Sequence, residues 1–177
     1  MAQRPWIAFF SQTGSEIVNI SQALGREPDL IVTNKRPEHL REINGGIPLC
    51  LELPNKPTLE DYQEVLSKYD NPLVTLHGWL RIVPEEIANN YEVYNGHPGL
   101  ITMYPDLKGK DPQVKAWEAH YKTVGSVIHR VTAGVDEGPV VMERAFTFER
   151  KPMLSTMYEV LHNISTELWL KFFRERI

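Results

Sequence analysis

The sequence predicts an α/β fold: a mostly parallel sheet flanked by helices, with an antiparallel strand pair at the C-terminal end of the sheet. Three observations carry this. Short apolar runs alternate with helical patterns through the first part of the chain, the order that crossover helices give a parallel sheet. Two β runs, "GSVIHRVT" and "PVVMERAFTF", then meet across the short turn "AGVDEG", as in an antiparallel pair. A long amphipathic helical pattern follows them. No internal repeat or low-complexity tract breaks the alternation, and 177 residues suit one domain, read here as residues 1–177.

The elements read in order. "PWIAFF" is a first buried strand and "SQTGS" a turn. "SEIVNISQAL" carries Ile17, Ile20 and Leu24 at helical spacing, with Ser15 as its expected N-cap. "DLIVT" is a second strand. "RPEHLREIN" before Gly45-Gly46 reads as a helix with a glycine stop. "TLEDYQEVLSKY" is a stronger helix, with Thr58 as N-cap and Asp61 three residues on. "PLVTLHGW" is a strand, "VPEEIANNY" a short helix with Pro84 near its first turn, and "EVYN" the next strand. "DPQVKAWEAH" has Asp111 as a cap and Pro112 at the first helical position. From Thr156, Met157, Leu161, Ile164, Leu168 and Phe172 form one apolar face, and Glu159 completes a capping box.

Composition narrows the function. Hydrophobic residues make up 42% and charged residues 24%, as in a soluble protein with a real core. No apolar run approaches the length that spans a bilayer. The start "MAQRPWIAFF" lacks the core of a signal peptide. Cys50 is the only cysteine, so no intrachain disulfide forms, which fits a reducing compartment. The net charge is -4 and no dense basic run appears, which argues against nucleic acid or an anionic membrane as the main partner. The expected location is the cytoplasm.

In sheets of this kind the ligand crevice lies beyond the carboxyl ends of the strands. Three polar stretches fall there: "SQTGS", "HGWLR" and "NGHPG". In the last, Asn95 and His97 share one face of an extended chain, because residues i and i+2 point the same way. Gly96 between them leaves room for a ligand to approach the backbone. A carboxamide and an imidazole aimed at one point suit an oxyanion. The same letters also suit a plain turn, since Asn-Gly is a common turn dipeptide. Asp136 in "GVDEGP" is a turn former unless His97 lies beside it, where a carboxylate would orient the ring and favour its charged form. "SQTGSEI" opens a helix, and free amides at such a start bind anions, although Glu16 in the first turn opposes a phosphate. His39, His77, His120, His129 and His162 form no HxH or HExxH pattern, so no metal is expected. Trp79 and Leu80 read as core, and Lys108 and Lys110 as solvated loop charges.

Taken together and in order, "FFSQTGSEI", "GWLRIVP", "NGHPGLITMYP" and "GSVIHRVTAGVDEGPVV" resemble the folate-dependent formyltransferases. The likeness covers nearly the whole chain and is nearest to the branch that acts on glycinamide ribonucleotide. It extends to the catalytic domains of the methionyl-tRNA and nucleotide-sugar branches. The resemblance implies a Rossmann-like sheet, 10-formyltetrahydrofolate as co-substrate, no metal, and a small amine as acceptor, and it leaves room for a homodimer. It assigns catalysis to Asn95, His97 and Asp136. It places the pterin against Leu80, Arg81, Ile82 and Val83 and the loop Thr132, Ala133, Gly134, Val135 and Asp136. It places the acceptor phosphate at Gly14 and Ser15, with Glu16 and Pro98 beside the acceptor.

The chain departs from the family pattern at two places. The loop that usually reads like Ser-Gly-x-Gly-Ser-Asn has Gln12 at its first Gly and Glu16 at its Asn. The acidic residue of the late helix is missing, with Ile164 in its register. The default acceptor is glycinamide ribonucleotide. The alternatives are another amine, such as an aminosugar nucleotide or a modified nucleotide, and folate binding without transfer. Transfer RNA ranks lower, because the extra carboxyl-terminal domain of that branch is absent from these residues and the chain is acidic.

Overall fold

The computed structural model describes residues 3–35, 50–134 and 136–177. Seven strands form one sheet in the order β3-β2-β1-β4-β5-β6-β7. They are β1 (Trp6–Phe10), β2 (Leu30–Thr33), β3 (Cys50–Glu52), β4 (Leu73–Leu76), β5 (Glu92–His97), β6 (Thr123–Arg130) and β7 (Val140–Thr147). β1 to β5 run parallel, and β6 and β7 join antiparallel at one edge. The mostly parallel sheet with an antiparallel pair at the C-terminal end is therefore present. The helix expected over "RPEHLREIN" lies outside the described residues, as does Val135.

Strand alternation divides the core into two faces. Trp6, Ala8, Phe10, Leu73 and Tyr94 face α1 (Ser15–Leu24) and α5 (Leu154–Arg176), where they meet Ile17, Ile20, Trp169, Phe172 and Phe173. Ile7, Phe9, Val74, Leu76 and Val93 face α2 (Leu59–Leu66) and α3 (Glu85–Asn90), where they meet Tyr62, Val65, Leu66 and Ile87. A third cluster joins Leu100, Ile101 and Leu107 to Val124 and Val127 of β6, to Ala116 of α4 (Pro112–Glu118), and to Met157 and Leu161. That cluster anchors the long loop after β5.

The helix starts vary in how closely they follow the sequence. Thr58 and Asp61 form both bonds of a capping box at α2, as expected. α1 is capped by Gly14 in the left-handed region rather than by Ser15, and no side chain caps it. Asp111 precedes α4 with a φ of 53° and makes no side-chain cap. α5 begins at Leu154, ahead of the expected Thr156–Glu159 box. Pro152 is the nearest residue that stops the helix from extending backward, so Leu154 and Ser155 join the first turn. β3 had no counterpart in the sequence reading; it is a short, wholly exposed edge strand without apolar alternation.

The β6–β7 turn is built around Gly138, whose position leaves no space for a side chain. A Cβ there would overlap the Arg130 carbonyl oxygen. The Arg130 amide meanwhile donates to the Pro139 carbonyl at 2.9 Å, closing the turn. Gly138→Ala is expected to lower stability by about 1–3 kcal/mol, the usual cost of forcing an atom into a filled space. Denaturant unfolding checks this, and an unchanged midpoint would mean that the turn has slack.

Candidate active site

The strand order reverses between β1 and β4, and sheets of this kind take their ligands beyond the carboxyl ends of the strands at such a point. Ser11 closes the end of β1 onto β4 by donating its amide to the Gly78 carbonyl at 3.1 Å. β5 lies next to β4, with Leu76 opposite Asn95. β5 extends through His97, so Asn95 and His97 do share a strand face, and the turn begins after them. Across the antiparallel junction Asn95 pairs with His129 and His97 with Val127.

Asp136 reaches this face from the turn after β6. Its backbone stands in the left-handed region at φ 53°, a conformation that Asp tolerates better than most residues. Its side chain is 9% exposed, and four partners surround it. Oδ2 accepts the Gly109 amide at 2.8 Å and lies 3.5 Å from His97 Nδ1. Oδ1 accepts from Asn95 Nδ2 at 3.4 Å and lies 3.3 Å from His129 Nε2. The three residues that the resemblance assigns to catalysis converge in one cluster, together with a fourth, His129, to which it gives no role. His129 Nδ1 lies 3.2 Å from the Arg130 carbonyl, and its Nε2 lies 3.1 Å from Asn95 Nδ2 on the same side as Asp136 Oδ1. Its signal in the sequence was a lone polar residue between Val127 and Val131 on the inward side of β6.

Charge follows from this packing. Burial would push the Asp136 carboxyl up, but the His129 hydrogen bond, the His97 ring and the Gly109 amide together hold it below its ordinary value. Burial lowers the His97 pKa below the usual histidine value, and Asp136 and the Leu107 carbonyl oppose that shift without cancelling it. Even so, both His97 nitrogens face acceptors, since Nε2 donates to the Leu107 carbonyl at 2.7 Å. The imidazolium alone has a proton for each acceptor. His97 thus prefers to be neutral in the free protein, yet has partners in place for a second proton. The charged resting ring expected from the sequence is displaced by desolvation.

The other predicted residues surround this centre. Leu80 and Ile82 are 48% and 69% exposed, while Val83 is buried. Arg81 is engaged by Asn55, donating to its carbonyl at 2.7 Å and to Oδ1 at 2.9 Å. Thr132 and Ala133 are exposed and Gly134 is half-buried, as is Pro98 beside His97. Val83 and Val131 share one apolar cluster, so the two segments assigned to the pterin flank a common region. Gly14, Ser15 and Glu16 stand at the start of α1. Trp79 is buried as expected, whereas Leu80 is not. Gly96 does not open the strand to a ligand. Its missing Cβ would lie 2.7 Å from Trp169 Nε1, so the glycine makes room for an indole on the opposite sheet face. Among the described residues, no group of three or more His, Cys, Asp or Glu side chains is placed to hold a metal ion.

The directions of the two shifts fix a pH dependence. His97 has a folded pKa below 6.5, so its neutral form contributes stability that is lost as pH falls from about 6.5 through the folded value. Asp136 is also depressed, and its contribution is lost only well below, as pH falls from 3.8 through its folded value. Between pH 7 and 5 the parent Tm should therefore fall more steeply than that of His97→Gln. Thermal melts of both across this range test it, and parallel curves would contradict the lowered pKa.

The formyl transferase family profile matches residues 9–171. A phosphoribosylglycinamide formyltransferase from Bacillus subtilis is 27% identical over 103 residues, covering 57% of this chain and 51% of that protein. A methionyl-tRNA formyltransferase from Wolbachia pipientis subsp. Culex pipiens is 27% identical over 143 residues, covering 80% of this chain and 46% of that one. The chain thus spans about half the length of these curated relatives. The crystal structure of phosphoribosylglycinamide formyltransferase from Bacillus halodurans superposes with a TM-score of 0.79 and 26% identity, covering 94% of this chain and 92% of that one. No helix among the described residues is long and apolar enough to cross a membrane. With the profile matched across most of its length, the chain belongs to the formyl transferase family.

Proposed function

We propose that this chain transfers a formyl group from 10-formyltetrahydrofolate to the amine of a small acceptor. Phosphoribosylglycinamide, or glycinamide ribonucleotide, is the reference acceptor because relatives are named for it. The observation that carries the reading is the convergence of Asn95 and His97 with Asp136, which comes from 39 residues beyond His97 in the chain (136 − 97). Two N–H donors beside a buried carboxylate suit the transfer of an acyl group from one nitrogen to another.

The residues divide the work. The acceptor amine attacks the formyl carbon, a C–N bond forms, and the carbonyl oxygen takes the charge. Asn95 Nδ2 and a His97 N–H stabilise that oxygen. His97 gives up its bond to the Leu107 carbonyl to do so, an exchange of one acceptor for a charged one. The attacking nitrogen sheds a proton. His97, neutral in the free protein, can take it, and Asp136 stabilises the resulting imidazolium. His97 then returns that proton to the folate nitrogen as its bond to the formyl carbon breaks, and the ring is neutral again. His129 keeps the Asn95 amide and Asp136 carboxylate in register through both steps. The exposed apolar side chains of Leu80 and Ile82 suit the flat face of a pterin, and backbone groups of Thr132, Ala133 and Gly134 suit its polar edge.

Asn95→Ala and His97→Ala should each lower kcat/KM for formyl transfer by about 100- to 1000-fold, the usual loss of one oxyanion donor. Reduced-folate binding should persist in both. Release of tetrahydrofolate in the presence of an amine acceptor measures the first, and calorimetry the second. Near-normal turnover would remove the oxyanion role, and no binding of a reduced folate to the parent at millimolar concentration would remove the donor.

A further inference from the structure

The start of α1 has a positive pole that is not left for a ligand. Its capping residue is Gly14, which offers no side chain, so the first amides and the helix dipole favour a negative charge there. The chain supplies that charge itself. Glu16, in the first turn, accepts from His77 Nδ1 through Oε1 at 2.8 Å. The His77 side chain is 1% exposed and that of Glu16 24%.

His77 is held in one tautomer from below. Trp6 Nε1 donates to Thr75 Oγ1 at 2.8 Å, and Thr75 Oγ1 lies 2.8 Å from His77 Nε2. Because the indole can only donate, the Thr75 hydroxyl proton is free to go to His77 Nε2. The ring then carries its own proton on Nδ1 and gives it to Glu16. A neutral imidazole satisfies every link, and the chain of donors ends on a carboxylate. Buried residues of β1 and β4 therefore fix the orientation of Glu16, which a lone surface glutamate would be free to change.

The location gives this pair a use. It sits beyond the carboxyl ends of β1 and β4, where the strand order reverses, the place at which sheets of this kind bind ligands. Leu76 lies opposite Asn95, so His77 follows at the level of Gly96. The Trp169 ring stands 4.6 Å from that of His77 and also covers Gly96. The pair is thus one strand from the reacting cluster. Its remaining carboxylate oxygen is an acceptor, and a phosphate placed at the same helix start would meet a fixed negative charge.

We propose that Glu16, locked by His77, selects the acceptor: it excludes a phosphate at the start of α1 and favours an acceptor that brings a hydroxyl or amine donor there. This rests on the transfer reading above. Ribose and ribose 5-phosphate serve as probes for calorimetry with the full chain. Glu16→Gln keeps the oxygen that His77 bonds and removes the charge. It should bind ribose 5-phosphate about ten- to hundredfold more tightly than the parent, with no change for ribose, as expected from lifting a repulsion at hydrogen-bonding range. His77→Gln, checked by its Tm, frees Glu16 to turn outward and should give a smaller gain. Equal responses of the parent and Glu16→Gln to ribose 5-phosphate, including no detectable binding by either, overturn the proposal. Transfer to glycinamide ribonucleotide and to its dephosphorylated riboside separates the two readings. Transfer that favours the riboside in the parent and the ribonucleotide in Glu16→Gln supports the selection. Efficient use of the ribonucleotide by the parent, unimproved in the variant, removes Glu16 as selector and keeps formyl transfer. No transfer to either compound, with the difference in ribose 5-phosphate binding intact, removes formyl transfer to these amines and keeps the charge selection.

Discussion

A carboxylate taken out of water costs several kcal/mol unless its lone pairs are met. Asp136 is 9% exposed, and the site is organised around meeting that cost. Asp136 and its partners come from four separate segments. Asn95 and His97 require β5, His129 requires the β5–β6 register, and the Gly109 amide requires the loop after β5. Asp136 itself requires the tight turn at Gly138 and a left-handed backbone. Each demand constrains a different element. A shift of β6 by one residue would turn His129 to the other sheet face and bring a neighbour such as Ile128 to Asn95. The Leu100, Ile101 and Leu107 cluster gains a purpose in this light, since it holds the loop that carries both the Leu107 carbonyl and the Gly109 amide.

Much of this was legible in the sequence where local chemistry decides structure. The strands with buried apolar runs stand where their patterns place them, and the Thr58–Asp61 box forms as written. The spacing of Asn95 and His97 on one strand face followed from the period of two. What could not be read is set by contacts between distant segments. β3 exists because its backbone pairs with β2, and its exposed side chains leave no pattern. His129 becomes part of the site only through its register opposite Asn95. Gly96 shows the same limit in reverse. A glycine beside two polar residues reads as ligand access, but its space is taken by Trp169, 73 residues later (169 − 96).

The alternation of the strands separates two tasks. Asn95, His97, His129 and Asp136 lie on one face of the sheet, where the proposed transfer would take place. Thr75, His77 and Trp169 lie on the other, together with Trp6 and Phe10. The two sets meet at the carboxyl ends of β4 and β5, where neighbouring backbones place His77 beside Gly96. Contacts to an acceptor can therefore change on the α1–α5 face without disturbing the reacting cluster. The departures from the family pattern fall on that side: Gln12 and Glu16 near the start of α1, and Ile164, buried within α5.

This division gives the acidic residue at the start of α1 a use beyond its pairing with the helix dipole. A free carboxylate in the first turn of α1 is already favoured by the helix dipole. By itself that asks for no buried partner, and solvent would serve equally well. The chain instead commits Trp6, Thr75 and His77, all buried, to a single file of donors that ends on Glu16. Burying a hydroxyl and an imidazole is costly unless each is paired, and the pairing here is complete only while the carboxylate is in place. Removing Glu16 would leave the Nδ1 proton of a ring whose side chain is 1% exposed without its acceptor. The pair is thus coupled to the core through β1 and β4, and to the crevice through the half-exposed carboxylate. A simple helix-start charge needs only the second connection. The first gives Glu16 a fixed direction, which is the property required of a group that discriminates between acceptors.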